Sequence, residues 1–254
     1  MRIPWVLTLA GGGFPETFPR VPGAASALAG CSAVVAPSRE ALRLVETLPA
    51  AVERRIIPCG VEARPLAPSA NLSVLGIGRQ DRAHGFDTLL RAFPGIHRSC
   101  PASELILAGD GPLHRKLVAM ARGFPPQVQQ SITWEEVTSL EKARKLHERA
   151  RVIAFPDRAA GSEGAIAQAL ASGRALVVTE ASGIPVHAID GGNARVVPPD
   201  DAASLGEAIA SLLSDPPSAQ RLGEAAQGEA LRHLSWLEVG GEYMELFRHV
   251  TAKK

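Results

Sequence analysis

The chain is poor in cysteine, has no excess of either charge sign and contains no long apolar run. Its three cysteines, Cys31, Cys59 and Cys100, are an odd number without C-x-x-C spacing. That excludes a disulfide framework or a zinc knuckle and fits a reducing cytoplasm. The seven histidines include no H-E-x-x-H or H-x-H pair, so no metal site is expected. Lys plus Arg is 27 against 26 for Asp plus Glu, a net charge of +1. No broad field for nucleic acid or an anionic membrane results, and any acidic ligand must be held locally. Nucleic acid is therefore not an expected partner, while peripheral contact with a membrane stays open. Apolar stretches are broken by Gly, Pro, Ser or a charge within about ten residues, short of the roughly 18 that span a bilayer. The opening run MRIPWVLTLA reads as a buried strand rather than a signal peptide, because Pro4 interrupts it and Gly11-Gly12-Gly13 follows like a strand-to-loop turn.

What is present, 46% apolar and 21% charged residues over 254 positions, supplies a real core and excludes disorder. Short β-rich apolar runs alternate with helical patterns, the mark of a parallel sheet with helical crossovers. Strands are expected at Trp5 to Leu9, Ala33 to Ala36 and Arg55 to Pro58, then at Ser73 to Ile77, Glu104 to Ala108, Gln130 to Trp134, Val152 to Phe155, Ala175 to Thr179 and Ala194 to Val197. Helices are expected at Arg39 to Thr47, Phe86 to Arg98, Leu113 to Ala121, Leu140 to Arg149, Glu163 to Ser172, Ala202 to Ser214, Pro217 to Leu234 and Trp236 to Val250. The second group of strands makes one doubly wound unit. The turn-rich stretch Cys59 to Ala70 reads as a linker. The expected division is 1–66 as a partial amino-terminal lobe, 67–234 as a ligand-binding Rossmann-like domain, and 235–254 as a helix packing back on the first lobe.

Three loops carry chemistry. Gly76-Ile77-Gly78-Arg79 ends a strand and leads through Arg82 and His84 to a helix; glycines there admit a ligand to the backbone, and Arg79 with Arg82 can neutralise a phosphate. Ala108-Gly109-Asp110-Gly111-Pro112 repeats the strand, glycine turn and helix order, with Pro112 expected at the first helical position. Both turns lie along the sheet edge where open α/β sheets bind ligands. In the third loop, the amides of Gly161, Ser162, Glu163 and Gly164 open an alanine-rich helix whose dipole favours an anion such as a diphosphate. Gln168 on that helix offers an amide to a ligand or to solvent. As local chemistry, each loop can equally be a plain turn or a close-packed helix start. A dinucleotide-dependent oxidoreductase is disfavoured, since G-x-G-x-x-G and its downstream acidic residue are missing.

Taken in order, these motifs resemble the family 4 glycosyltransferases of GT-B fold. The resemblance runs through Ala36-Pro37-Ser38, Ile57-Pro58-Cys59-Gly60-Val61-Glu62, Gly78-Arg79, His84-Gly85-Phe86, Gly109-Asp110-Gly111-Pro112-Leu113, Gln168-Ala169-Leu170-Ala171-Ser172-Gly173, Ser182-Gly183-Ile184-Pro185, Asp190-Gly191-Gly192-Asn193, Val197-Pro198-Pro199-Asp200-Asp201 and Leu234-Ser235-Trp236. It implies an α/β GT-B architecture with one complete Rossmann-like doubly wound domain and a truncated first lobe. It also implies a retaining, metal-independent transfer of a hexose from a nucleotide-diphosphate sugar, with no cofactor beyond that donor and an unidentified acceptor. Arg79, Arg82, His84 and residues Gly161 to Gly164 would hold the donor diphosphate, and Gly78, Gly109, Asp110, Gly111 and Gln168 its nucleoside and sugar. No side chain is identified as catalytic. The chain departs from the family at four positions: His84 stands where a lysine is expected, Ala160 and Gln168 replace the glutamates of an E-x7-E pair, and Ala10 stands for a histidine. The alternative is a non-catalytic relative that binds a nucleotide, or a partner chain or second copy completing the first lobe.

Overall fold

The computed structural model describes residues 3–9, 30–43, 52–62, 71–182 and 189–252. They form a three-stranded and a six-stranded parallel sheet. The first contains β1 (Val6–Thr8), β2 (Ala33–Ala36) and β3 (Glu53–Ile56), in that order, with α1 (Arg39–Arg43) after β2. The second contains β4 (Ser73–Ile77), β5 (Glu104–Ala108), β6 (Ile132–Glu135), β7 (Val152–Phe155), β8 (Ala175–Thr179) and β9 (Arg195–Val197). Between and after these strands lie α2 (Phe86–Ser99), α3 (His114–Ala121), α4 (Pro126–Gln130), α5 (Leu140–Arg149), α6 (Glu163–Ala171), α7 (Ala202–Ser214), α8 (Pro216–His233) and α9 (Trp236–Ala252).

The six strands run in the spatial order β6-β5-β4-β7-β8-β9. Numbered within their own sheet this is 3-2-1-4-5-6, the doubly wound order whose direction of winding reverses between β4 and β7. Strand residues alternate between two cores. Val74, Leu105, Leu107, Val152 and Val177 meet α2, α3 and α7 on one face. Leu75, Ile106, Ile153, Phe155 and Leu176 meet α5, α6 and α8 on the other. Burial on both faces is why these strands read as unbroken apolar runs. Side-chain caps fix several helix starts: Ser139 accepts from Lys142 N, Asp201 from Ala203 N and Ser204 N, and Asp215 from Ser218 N just before Pro216.

The smaller sheet is also covered on two sides. Val34 and Ala36 pack with Leu9, Ala41 and Val52. Ala33 and Val35 pack with Val239, Leu246 and Val250 of α9. The two lobes are joined where Val61 N donates to Leu234 O at 2.7 Å and the Trp236 ring lies against Gly60.

The sequence expectation is corrected at three places. Strand β3 begins at Glu53 rather than Arg55, and β6 begins at Ile132 rather than Gln130. Gln130 closes the unexpected helix α4, which Pro126 opens at its first turn. Helix α3 starts at His114, so Pro112 precedes the helix rather than beginning it. The far half of the expected Arg39 to Thr47 helix and most of the Cys59 to Ala70 linker lie outside the described residues.

Candidate functional site at the carboxyl ends of β4 and β7

The loops after β4 and β5 are bound to one another by Gln80, which is fully buried. Its backbone N donates to Asp110 O at 2.9 Å, and its carbonyl accepts from Leu113 N at 2.9 Å. Its side-chain Nε2 donates to Gly109 O at 2.9 Å, and its Oε1 lies 2.7 Å from His114 Nδ1. Gly109, with φ of 122°, sits so close to Gly78 that a Cβ would overlap the Gly78 carbonyl. Gly109 and Gly111 therefore serve backbone approach between two loops, Gly78 supplies a φ of 150°, and the Asp110 carboxylate is used locally, accepting from Gly111 N at 2.7 Å.

Arg79 and Arg82 project outward, Arg79 Nε lying 3.3 Å from Asp81 Oδ2. His84 is turned inward: it is 9% exposed and its Nδ1 is 2.7 Å from Asp81 Oδ1. Burial pushes the Asp81 carboxyl up, but the His84 ring and the amides of His84 and Ala83 outweigh it and hold Asp81 below the usual carboxylate range. The Nδ1 side of the imidazole is thus committed to Asp81, and the two arginines are the exposed cations of this loop.

Across the switch point, β7 is followed by Pro156, Asp157 and Arg158. The Arg158 guanidinium donates to both Asp87 oxygens, at 2.8 and 2.9 Å, to Arg82 O at 2.9 Å and to Thr88 Oγ1 at 3.0 Å. Its Nε reaches Asp200 Oδ1, ahead of α7. One side chain therefore fastens the 79–85 loop and the start of α2 to β7. Asp157 is 1% exposed, and its Oδ2 has no hydrogen-bond partner. Burial pushes its pKa up to about 6, with Ser162, His84 and Ser182 pulling the other way and Glu163 adding to the rise.

At the start of α6, Ser162 and Glu163 are 5% and 2% exposed. Glu163 Oε1 accepts from Ser38 Oγ of the smaller lobe at 2.8 Å, while Oε2 is buried without a partner. Burial raises the Glu163 carboxyl against the opposing effect of its own amide, Ser38 and the Gly161 amide. Gly164 lies beside Cys59, whose thiol is pushed up by burial and by Glu163. The structure thus gathers His84, Asp157, Ser162 and Glu163. Gln168, further along α6, is exposed and lines a cavity of about 430 Å³ with Glu62, Leu140, Arg144, His147 and Trp236. Among the described residues no group of three or more His, Cys, Asp or Glu could hold a metal ion, and no helix is long and apolar enough to cross a membrane.

Sequence reasoning gave no role to Ser38, Gln80, Asp157 or Arg158. Only Asp157-Arg158 had a local signal, two charges one residue past a buried strand at the switch point.

A doubly wound parallel sheet with glycine loops at its switch point, joined to a smaller parallel sheet by a chain that crosses twice, defines the GT-B architecture. The chain belongs to the family described as "Glycosyl transferases group 1", whose model matches residues 71–215. It is 30% identical over 169 residues to the GDP-mannose-dependent alpha-(1-6)-phosphatidylinositol monomannoside mannosyltransferase of Mycolicibacterium smegmatis, covering 64% of this chain and 44% of that protein. It is 28% identical over 186 residues to the alpha-maltose-1-phosphate synthase of the same organism, covering 69% and 47%. The matches span just under half the length of these relatives. In fold the chain is similar to sucrose-phosphate synthase from Thermosynechococcus elongatus, with a TM-score of 0.82 at 21% identity over 100% of this chain and 69% of that one. It is also similar to HepE of Anabaena, solved with UDP and glucose, with a TM-score of 0.79 at 19% identity over 96% and 71%.

Proposed function

We propose that the protein is a glycosyltransferase that takes a hexose from a nucleotide-diphosphate sugar and transfers it, with retention and without a metal ion, to an acceptor hydroxyl. In this reading residues 67–234 form the donor lobe, 1–66 belong to the acceptor-side lobe, and 235–254 return to that lobe. The observation that carries it is the pair of outward arginines, Arg79 and Arg82, at the carboxyl end of β4, beside the switch point of a 3-2-1-4-5-6 sheet. Guanidinium groups there can stabilise the departing diphosphate as its negative charge develops. His84 assists them, its Nδ1 bonded to Asp81 and so fixing the ring in the loop. A relative named as GDP-mannose-dependent and a neighbour solved with UDP-glucose support a nucleotide sugar as the donor.

Calorimetric titration with uridine, guanosine and adenosine diphosphate sugars, with donor hydrolysis followed in parallel, tests the reading. One donor should bind and turn over, and Arg79→Ala should abolish its binding. Binding without turnover identifies instead a non-catalytic relative; unchanged affinity in Arg79→Ala rejects the pocket.

A further inference from the structure

The two outer strands of the small sheet differ in chemistry. β3 carries Glu53, Arg54 and Arg55, the charged kind of edge that discourages sheets from pairing with one another. β1 is the other edge, and the chain from Ile3 to Leu9 holds no charge. Leu9 N donates to Val35 O at 2.8 Å and Leu7 lies opposite Val34, so Leu7 and Leu9 give their main-chain groups to β2. These groups point to opposite sides at successive residues of a strand, which turns the N–H and C=O of Val6 and Thr8 outward. No strand meets them among the described residues. Thr8 is exposed, Val6 and Leu7 are half-buried, and Ile3 and Trp5 stand exposed just before them.

Helix α9 is lopsided in the same sense. Its buried line, Val239, Leu246 and Val250, rests on Ala33 and Val35 of β2. Toward β3 it is polar: His249 Nε2 lies 3.0 Å from Glu53 Oε2, and Glu242 and Glu245 act on Arg55. At about 100° per residue, Tyr243 and Phe247 fall on the opposite flank, toward β1. Tyr243 packs with Val6 against the same core, and the Phe247 ring is 6.0 Å from it. Phe247, Met244 and Leu237 are exposed, and a Cβ on Gly240 or Gly241 would meet nothing within 4 Å. An uncharged sheet edge and an uncovered apolar helix flank therefore share one border of the small lobe.

We propose that this border is the contact between two copies of the chain, related by a twofold axis that passes through Leu7 perpendicular to the sheet. The occupant is a second copy because the border complements itself. About that axis the two β1 strands run antiparallel, Val6 stands opposite the second copy's Thr8, and each such pair exchanges both main-chain hydrogen bonds. Leu7 meets its own counterpart, and Trp5 comes opposite Leu9. Pro4 has no N–H to extend the ladder further. The perpendicular axis keeps both α9 helices on one face of the joined sheet, so their Tyr243 and Phe247 flanks face each other over the seam and bury the apolar area that a short strand pair lacks. Identical surfaces bring identical charges together, and the run from Ile3 to Leu9 has none to bring. None of the switch-point loops takes part, so the contact is independent of the donor reading.

Sedimentation velocity across the micromolar range reads the association of the wild type, Thr8→Pro, Phe247→Glu and Leu231→Glu, with the unfolding midpoint of each measured alongside. The wild type should pass from monomer to dimer as concentration rises. Thr8→Pro removes an outward N–H without touching the β2 ladder, and Phe247→Glu sets a charge on the exposed flank; each should weaken the dimer by about tenfold or more. Leu231→Glu places the same charge on an exposed leucine of α8 and should leave association unchanged. Under mild oxidation Leu7→Cys should give a disulfide-linked dimer and Thr8→Cys should not, since only position 7 faces itself across the axis. A wild type that stays monomeric throughout overturns the proposal. So does a dimer indifferent to Phe247→Glu in a folded protein, one weakened equally by Leu231→Glu, or one linked through Thr8→Cys rather than Leu7→Cys.

Discussion

Arg158 grips Asp87 with both terminal nitrogens, Nη1 to Oδ1 at 2.8 Å and Nη2 to Oδ2 at 2.9 Å, across the gap between β7 and α2. The side-chain hydrogen bond from Arg158 and its charge outweigh the burial that would raise Asp87, so that carboxyl titrates below its ordinary value. Removing the guanidinium takes the donor from the Arg82 carbonyl and leaves Asp87 with Arg91 alone, whose Nη1 donates to Oδ2 at 3.0 Å. Arg158→Ala should therefore cost about 2 kcal/mol, a fall of roughly 4–8 °C in unfolding midpoint for a chain of this size. A double-mutant cycle with Asp87→Ala should give a coupling above about 1 kcal/mol. Arg158→Lys should recover only part of the loss, because an ammonium cannot make the two parallel bonds. Calorimetric unfolding of the four proteins checks this, and additive losses would mean the pair does not interact.

Two buried groups should titrate in opposition. Burial pushes Asp157 up to about 6 from 3.8, so between those values the folded protein holds more protons than the unfolded chain and stability falls as pH rises. Burial and Arg174 push His147 down to about 4 from 6.5, so in its window the folded protein holds fewer protons and stability rises with pH. From about pH 4 to 6 the two largely cancel. Asp157→Asn should melt above the wild type at pH 7.5, with the gap closing toward pH 4, where the wild-type carboxyl is protonated in the folded state. The variant should then show the unopposed acid sensitivity of His147. Parallel unfolding curves for the two proteins from pH 4 to 7.5 would refute the Asp157 assignment.

Most of the large lobe was legible because its sheet is buried on both faces. The bounds of β4, β5, β7 and β8 coincide with apolar runs ended by a glycine, a proline or a charge. The edges were harder. Glu53, Arg54 and Arg55 make β3 a polar strand at the border of the small sheet, where only pairing with β2 marks it as β. The switch-point loops could be placed from their glycines, but their contents could not. Ser38 and Glu163 are 125 positions apart and Arg158 and Asp87 are 71 apart, and no local pattern encodes such pairs. His84 stood out as a phosphate partner by position alone, whereas Asp81, three residues before it, claims the ring.

Gln80 ties the site's two glycine loops with four hydrogen bonds and no exposed surface. Gln80→Ala strips the Gly109 carbonyl and His114 of partners inside the protein, which should cost about 2–3 kcal/mol. Gln80→Glu should be nearly as harmful at neutral pH, because it sets a carboxylate oxygen against the Gly109 carbonyl where an amide N–H had donated. Unfolding in urea at pH 7 measures both. Since Arg79 is the adjacent residue, donor affinity should fall with stability in each variant. Full affinity in a destabilised Gln80→Ala would show that the loops do not need one another to shape the site.

Two glycines separate backbone constraint from mere composition. Gly85 has φ of 60°, and a Cβ on it would overlap the Pro156 carbonyl, at the junction where the 79–85 loop meets β7. The clash is with main chain on both sides, so no rotamer change relieves it, and Gly85→Ala should cost about 3 kcal/mol or more. Gly95 in α2 is exposed, and a Cβ there would meet nothing within 4 Å. Gly95→Ala should instead stabilise the protein by about 0.5–1 kcal/mol, through helix propensity and the smaller entropy of the unfolded chain. Chemical denaturation of both variants decides the matter. The argument fails if Gly85→Ala is tolerated or if both substitutions shift stability the same way. Because Gly85 adjoins His84, the destabilised protein should also lose donor affinity, whereas Gly95→Ala should leave it unchanged.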